Sequence, residues 1–276
     1  MKALSLMLFL SLSSITLIGQ TQPQQKGKLY FYWGWNKSIY SNSTIHFKGN
    51  DYSFRLENVK ATDKQSKVSL DYINPAKMTI AQYNFRIGYY FKENWSISFG
   101  NDHMKYVVTQ GQQVEITGHI GSTETVYNSD YDHNKIEIKE DFLKFEHTDG
   151  LNYENIELRH FSNLKPLGKW NINLIEGFGM GISLPKTNSK LLGKARNDEF
   201  HLAGYGANVV AALQLAHTKG FFMQAETKGG FINMPDILTS PESIDRARQN
   251  FFFFQYNLVF GYQFSLTKKA AFNSNL

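Results

Sequence analysis

The sequence of 276 residues contains no cysteine. This absence excludes disulfide bonds and a lipid anchor on an N-terminal cysteine, so an exported fold would depend on strand pairing and burial alone. The Walker, Rossmann and GxSxG motifs and zinc-ligand spacings are also missing. The formal net charge of +5 comes without the basic stripe that nucleic acid requires. We therefore expect no cofactor, no metal site and no nucleic-acid partner.

The N-terminus has the features of a secretory signal peptide. Lys2 precedes a short apolar run, Leu4 to Leu17, which ends close to the small residue Gly19. This run is shorter than the roughly 20 residues that a membrane-spanning helix needs. The sequence thus predicts a signal peptide over residues 1–19 and one exported domain over residues 20–276.

Aromatic residues are abundant, although the mean hydropathy of the chain is negative. They make up 15% of the sequence, with 22 Phe and 15 Tyr, and they alternate with Asn, Gln, Ser and Gly. A membrane β-barrel needs this combination, because one face of each strand meets lipid and the other meets a polar interior. The composition therefore favours a barrel over a soluble core.

Helical periodicity is absent after the signal peptide, whereas alternation with a period of two recurs in segments close to the length of a transmembrane strand. The eight segments are Leu29–Asn36, Thr79–Phe91, Trp95–Val108, Asn152–Ser162, Trp170–Ile182, Gly204–Leu215, Phe221–Lys228 and Phe252–Leu266. In the third segment the apolar phase changes near Asn101 to His103, which predicts a β-bulge there.

The connections between these segments alternate between short and long. Residues 92–94, 164–169 and 218–220 are short links, and residues from roughly 37–78, 109–150, 184–199 and 233–249 are long ones. Outer-membrane barrels have short periplasmic turns and long extracellular loops. The sequence therefore predicts an all-β fold, a closed antiparallel transmembrane β-barrel of about eight strands with long extracellular loops.

Two of the long connections contain strand-like pieces of their own. Thr44–Lys48 precedes Tyr52–Leu56, and Gln113–His119 precedes Lys135–Lys139. We interpret both pairs as hairpins that stand above the membrane and extend the barrel wall. The alternative is a barrel of ten or more strands, against which the polarity of these pieces argues.

Charged residues fall on the predicted inward face of the strands. They are Arg86, Glu157, Arg159, Glu226 and Lys228. The interior of an eight-stranded barrel is just filled by side chains, and unpaired charges there cost several kcal/mol. A salt-bridged plug is the predicted role, and a gated or ligand-holding lumen is the alternative.

The run His160-Phe161-Ser162-Asn163, with Glu176 downstream, resembles the motif of outer-membrane lipid A deacylases of the PagL type. The resemblance implies a triad in which His160 activates Ser162 and Glu176 orients the histidine. All three fall on the outward face by parity. They lie beside a short periplasmic turn, however, whereas a deacylase works in the outer leaflet. Interfacial polar residues are the favoured interpretation.

A fragment of a calcium loop is present in the second long connection, residues 109–150. Its oxygen-bearing residues are Asp130, Asp132, Asn134, Glu140 and Asp141. Lys135 occupies the position where an EF-hand requires glycine, and flanking helices are missing. The segment therefore predicts a solvated acidic loop.

Tryptophans occur near the ends of predicted strands. They are Trp33, Trp35, Trp95 and Trp170. Membrane barrels carry aromatic girdles at both interfaces, where amphipathic rings lie at headgroup level. We predict this role for all four.

The mature chain resembles Bacteroidetes-type outer-membrane β-barrel proteins, with an architecture similar to the OmpA transmembrane domain and the OmpW type. The stretches that carry the resemblance are FYWGWNKS, QYNFRIGYYFKENWSISFGNDHMKYV, DFLKFEHTDGLNYEN and FFFFQYNLVFGYQFSL. It implies an outer-membrane location, with outer-membrane lipid and lipopolysaccharide as the surroundings. The leading functional hypothesis is a non-enzymatic structural or interaction barrel, alone or with protein partners in a larger envelope or secretion assembly. The alternatives are a PagL-like lipid A deacylase and a small-molecule transporter.

Overall fold

The protein is all-β over residues 25–65, 82–194 and 199–265, the parts that the computed structural model describes. The predicted signal peptide and the first residues of the predicted second strand lie outside this range. Within it, no helix is long and apolar enough to cross a membrane. The strands are β1 Lys28–Tyr40, β2 Ser43–Lys48, β3 Tyr52–Val59, β4 Ala61–Thr62, β5 Tyr83–Lys92, β6 Trp95–Val108, β7 Gln113–Ile120, β8 Ser129–Glu137, β9 Leu143–Leu167, β10 Trp170–Pro185, β11 Asn188–Leu191, β12 Gly204–His217, β13 Phe221–Leu238 and β14 Arg246–Ser265.

Eight of the fourteen described strands form a closed ring. Their order is β1-β5-β6-β9-β10-β12-β13-β14, and β14 closes the ring by pairing with β1 from Lys28↔Ser265 to Tyr40↔Phe253. Every neighbouring pair in the ring is antiparallel. Each ring strand overlaps one of the eight predicted segments, so the predicted fold class is confirmed.

The outer wall of the ring carries a belt of exposed apolar side chains, to which all eight ring strands contribute. On β14 every second residue from Phe252 to Phe264 is a large exposed hydrophobic, while the residues between them are buried as far as Gly261. Soluble monomers rarely expose so much contiguous apolar surface. In a transmembrane barrel, hydrocarbon covers this face. The chain is thus a transmembrane β-barrel, and its location is the outer membrane, where closed antiparallel barrels of this kind occur.

Several strands are longer than the alternation predicted. Strand β9 has 25 residues and absorbs most of the predicted turn 164–169 and the end of the predicted loop 109–150. Strands β13 and β14 continue until only residues 239–245 separate them, which corrects the predicted loop 233–249. Outside the lipid belt a strand needs no apolar face, because ladder hydrogen bonds are made by the backbone. Polar composition therefore concealed these strand ends.

The two predicted hairpins extend the barrel wall beyond the belt. Strand β2 pairs with the start of β14, from Arg246↔Lys48 to Gln249↔Ile45, and β3, β7 and β8 follow in order. Their inward side chains are buried with those of upper β9 and β13 in one apolar core, which includes Ile45, Phe47, Phe54 and Ile116. None of these hairpin strands enters the ring. We call β2, β3, β7, β8 and this core the extension.

The bulge predicted near Asn101 to His103 of β6 is not formed there. The register between β6 and β9 shifts between Met104 and Tyr106, and the extra residues lie on β9, because Met104 pairs with Leu151 and Tyr106 with His147. Ser98, Asp102 and Met104 all remain inward-facing and buried. The change from polar to apolar residues reflects a change in the interior, which turns from a charged lumen to the extension core at this height. It does not mark a change of phase.

Acid is expected to destabilise the extension through His147, which is fully buried in its core on the part of β9 that lies above the belt. Burial lowers the pKa of His147 to about 3. In the unfolded chain this histidine has an ordinary pKa near 6.5, so between pH 6.5 and 3 it binds a proton that it does not bind in the folded protein. The contribution of neutral His147 to stability is therefore fully present above about pH 6.5 and is lost progressively as the pH falls toward 3. Between pH 7.5 and 4.5 we expect a loss of about 2–3 kcal/mol, measured by hydrogen exchange of the extension amides.

Candidate functional site: a charge-balanced lumen

The five charged residues predicted for the lumen come together inside the ring. All are almost completely buried. Glu157 on β9 is the centre: one of its oxygens lies 3.0 Å from Arg86 Nη2, and the other lies 2.6 Å from Arg159 Nη2. Arg159 also contacts Glu226 on β13, with 2.8 Å between Nη1 and Oε2. Ion pairs thus link three strands across the interior.

A sixth charged residue, Asp102, completes the cluster and was not predicted from the sequence. The ammonium of Lys228 lies between the Asp102 carboxylate and Glu157 Oε1, the latter at 2.9 Å. Three cations therefore face three carboxylates, and the cluster has no net formal charge. Asp102 continues the inward face of Ser96, Ser98 and Gly100 at two-residue spacing, which is the signal that could have identified it. The bulge predicted near Asn101 to His103 implied a change of face there and so removed Asp102 from the predicted inward residues. We call these six residues the lumen network.

Neutral side chains satisfy the remaining hydrogen-bonding groups of the lumen network. The hydroxyl of Tyr32 accepts hydrogen bonds from Arg86 Nε at 3.1 Å and from Arg159 Nη2 at 3.0 Å. Asn208 donates to Glu157 Oε1 at 2.9 Å, and Asn257 donates to Glu226 Oε1 at 3.0 Å. A fully satisfied network is rigid, and in a low-dielectric interior it resists the loss of any one member.

Apolar layers close the lumen on both sides of the network. Toward the short turns, Tyr30 packs against Tyr90 and Phe222, with ring centroids 5.3 Å and 6.5 Å apart. Phe161 belongs to the same layer, and its amide donates to Asn94 O in the turn. On the other side, the extension core begins at Met104, Tyr153 and Phe253. An eight-stranded ring is just wide enough to be filled by side chains, and this one is filled in three layers.

The residues of the deacylase-like motif share the outer wall, as parity predicted. Ser162 Oγ lies 3.4 Å from His160 Nδ1, and Glu176 is the cross-strand neighbour of His160 on β10. Glu176 makes no hydrogen bond to another described residue. His160 also pairs with Trp95, the first residue after a short turn, which places the motif at that end of the ring. A triad needs a carboxylate that orients the base, and that contact is not formed.

Comparisons with known proteins bear on the architecture alone. Neither a scan against protein-family models nor a search of curated proteins found a match. Among solved structures, the outer membrane protein AlkL in lipid bilayers is 10% identical, with a TM-score of 0.40 over 91% of this chain and 96% of that one. OprG from Pseudomonas aeruginosa is 8% identical, with a TM-score of 0.36 over 87% and 97%. The outer membrane protease OmpT from Escherichia coli is 7% identical, with a TM-score of 0.24 over 86% and 96%. These proteins are similar outer-membrane barrels, and the predicted Bacteroidetes origin stays a prediction.

The four tryptophans do not share one position along the wall. Trp95 and Trp170 lie next to short turns. Trp33 and Trp35 instead oppose Phe260 and Leu258 in the middle of the β14 belt. The reason is that β1 continues to Tyr40, so residues that seemed to end a strand lie within it. Their position fits lipid contact rather than a girdle.

The oxygen-bearing residues of the calcium-like segment lie on or beside β8. Asp130 pairs with His119 at 2.6 Å, and Asp141 accepts a hydrogen bond from the Tyr127 hydroxyl at 3.0 Å. Asn134 bonds the backbone amide of Asp132. Across the described residues, no group of three or more His, Asp or Glu side chains is arranged to hold a metal ion. Glu140, like most of this segment, is exposed.

Proposed function

We propose that the protein is a non-conducting outer-membrane anchor that holds a rigid β-sheet extension outside the cell for interaction with a partner. The observation that carries this proposal is the three-layered filling of the interior. Ion pairs and hydrogen bonds occupy the middle, and apolar side chains occupy both ends. A pore would need an open, hydrated path, whereas buried and mutually bonded side chains occupy this interior.

The extension supports an interaction role because it is ordered and its outer face is polar. Strands β7 and β8 pair from Gln113↔Glu137 to Ile120↔Ser129 and expose charged groups such as Asp130, Asp132 and His133. A paired, core-backed hairpin loses little conformational entropy when a partner binds. The arrangement therefore favours recognition over transport through the lumen.

The proposal predicts that the full-length protein in planar bilayers gives no stable conductance steps. A general porin inserted under the same conditions is the control for assay sensitivity. Side chains fill the interior and block ions. We therefore expect a conductance roughly 100-fold or more below that of the porin, which is the baseline of the assay. Stable ohmic channels from the folded protein would contradict the proposal.

Small-molecule transport is the second candidate, and one feature of the wall favours it. A cavity of about 330 Å³ opens beside the irregular pairing of β6 with β9 and is lined by Asn101, His103, Glu154, Leu184 and Phe200 among others. His103 is 4% exposed, and its Nε2 has no hydrogen-bond partner. Uptake of small amphiphiles into liposomes that carry the protein, without ion conductance, would favour this candidate over the anchor.

A further inference from the structure

Two cavities of opposite chemistry lie one above the other on the outer wall, along the seam between β13 and β14. The lower one is an apolar groove of about 630 Å³ in the belt, lined by residues that include Met180, Val209, Gly229, Phe231 and Phe252. Gly229 faces outward and contributes no side chain, which leaves this space on the outer wall. A groove of this kind in a lipid-facing surface fits an acyl chain.

The upper cavity, of about 560 Å³, lies outside the belt and is basic. It is lined by His46, Arg55, Asn233, Arg248 and Asn250, with Thr44, Pro235 and Gln249. These residues come from four adjacent strands, β3, β2, β14 and β13. The extension thereby builds one wall of the pocket and the ring builds the other.

Strand register joins the two cavities into one continuous surface. Phe231 opposes Phe252, with ring centroids 5.1 Å apart, and two residues farther along Asn233 opposes Asn250. Two residues beyond Asn250 is Arg248, which opposes His46 of β2. Apolar, amide and cationic side chains thus follow one another within about 13 Å along the strand.

The positive charge of the upper pocket is largely uncompensated. Arg55 pairs with Glu57 at 2.9 Å, but among the described residues neither Arg248 nor the neighbouring exposed Lys48 has an ion-pair partner. The pKa of His46 is lowered by burial and by the charges of Arg248, Lys48 and Arg55. Unpaired cations around a cavity attract an anion that can contact several of them at once, as a phosphate group does.

We propose that this seam binds one phosphorylated glycolipid of the outer leaflet, the lipid A part of lipopolysaccharide. An acyl chain lies in the groove at Gly229 and Phe231, and sugar hydroxyls meet Asn233 and Asn250. A phosphate contacts Arg248 in the upper pocket, and the exposed Lys48 beside the pocket adds to its attraction. A free phosphate ion would use only the upper pocket. The glycolipid is the ligand that matches both cavities and their order. This inference goes beyond the anchoring function.

The test uses the full-length protein in detergent micelles, titrated with bisphosphorylated lipid A and with the same lipid after removal of its phosphates, with native mass spectrometry as the readout. We expect the phosphorylated lipid to bind at least tenfold more tightly. Arg248→Glu combined with Lys48→Glu is expected to remove this preference. The matched control combines Lys60→Glu with Lys139→Glu, two exposed lysines outside the pocket, and should bind like the wild type.

A second variant tests the groove independently of charge. A Cβ atom at position 229 would contact only Phe254 Cδ2, at 3.7 Å, so Gly229→Leu fills the groove without clashing at the backbone. We expect it to weaken binding of both lipids severalfold, while heat-modifiable gel mobility shows that the barrel is folded. Unchanged binding in the charge-reversed protein, equal binding of the two lipids, or complete displacement of lipid A by millimolar inorganic phosphate would each overturn the proposal.

Discussion

Replacing Glu157 by glutamine is expected to lower the free energy of unfolding of the barrel by about 3–5 kcal/mol, the usual cost of removing one partner from a buried ion pair. Glu157 contacts Arg86, Arg159 and Lys228, all of them buried. The neutral amide leaves three cations with two carboxylates in a low-dielectric interior. Urea titration of the protein in lipid vesicles, followed by tryptophan fluorescence, measures the change.

The same substitution at Glu176 is the matched control. Glu176 is exposed on the outer wall of β10 and has no ion-pair partner among the described residues. Glutamine at this position removes a charge from the lipid face, so we expect no loss of stability. Equal losses for the two variants would mean that the lumen network contributes nothing special to stability.

Replacing Phe54 by alanine is expected to cost about 3–5 kcal/mol of local stability in the extension, the usual range for a deleted core phenylalanine. Phe54 is 1% exposed and stacks on Phe47 at 5.4 Å between ring centroids, with Phe142 at 5.8 Å. The cavity left behind lies above the belt, so the ring should keep its heat-modifiable mobility. Hydrogen exchange and limited proteolysis should show opening of β2, β3 and β7.

Val126→Ala is the control for the extension, because Val126 is 90% exposed and touches no core. Its effect should stay within about 0.5 kcal/mol, as is usual for surface substitutions. Loss of the heat-modifiable form in Phe54→Ala would show that the extension and the ring unfold as one unit. That result would argue against an anchor that carries a separately ordered extension.

The ring was predictable from the sequence because lipid imposes a strict rule on each spanning strand. Every second residue of β14 from Phe252 to Phe264 is apolar because it meets hydrocarbon, whereas the inward residues between them are free to be polar, as Gln255 and Asn257 are. The same rule identified the inward positions of Arg86, Glu157 and Lys228. Wherever hydrocarbon touches the wall, the period-two pattern and the structure therefore agree.

Beyond the belt the rule no longer applies, and prediction from the sequence becomes unreliable. Partners that are distant in the sequence decide where β9 starts, where β13 ends and where the pairing of β6 with β9 becomes irregular. Pairing of β2 with β14, for example, joins residues about 200 positions apart, such as His46 and Arg248. The inward position of Asp102 follows from its local spacing, but its ion pair with Lys228, 126 residues away, does not. Local patterns carry no information about such contacts.

Closure of the ring completes the hydrogen bonds of the lumen network in addition to the last strand pairing. Arg159 donates to the Tyr32 hydroxyl across 127 residues of sequence, and Tyr32 lies on β1, the strand that completes the circle. Before β1 meets β14, an inserting chain would present arginine, lysine and carboxylate groups to hydrocarbon without their full set of partners. Contacts that form only on closure mainly slow the unfolding of the finished barrel and contribute little to the speed of its assembly.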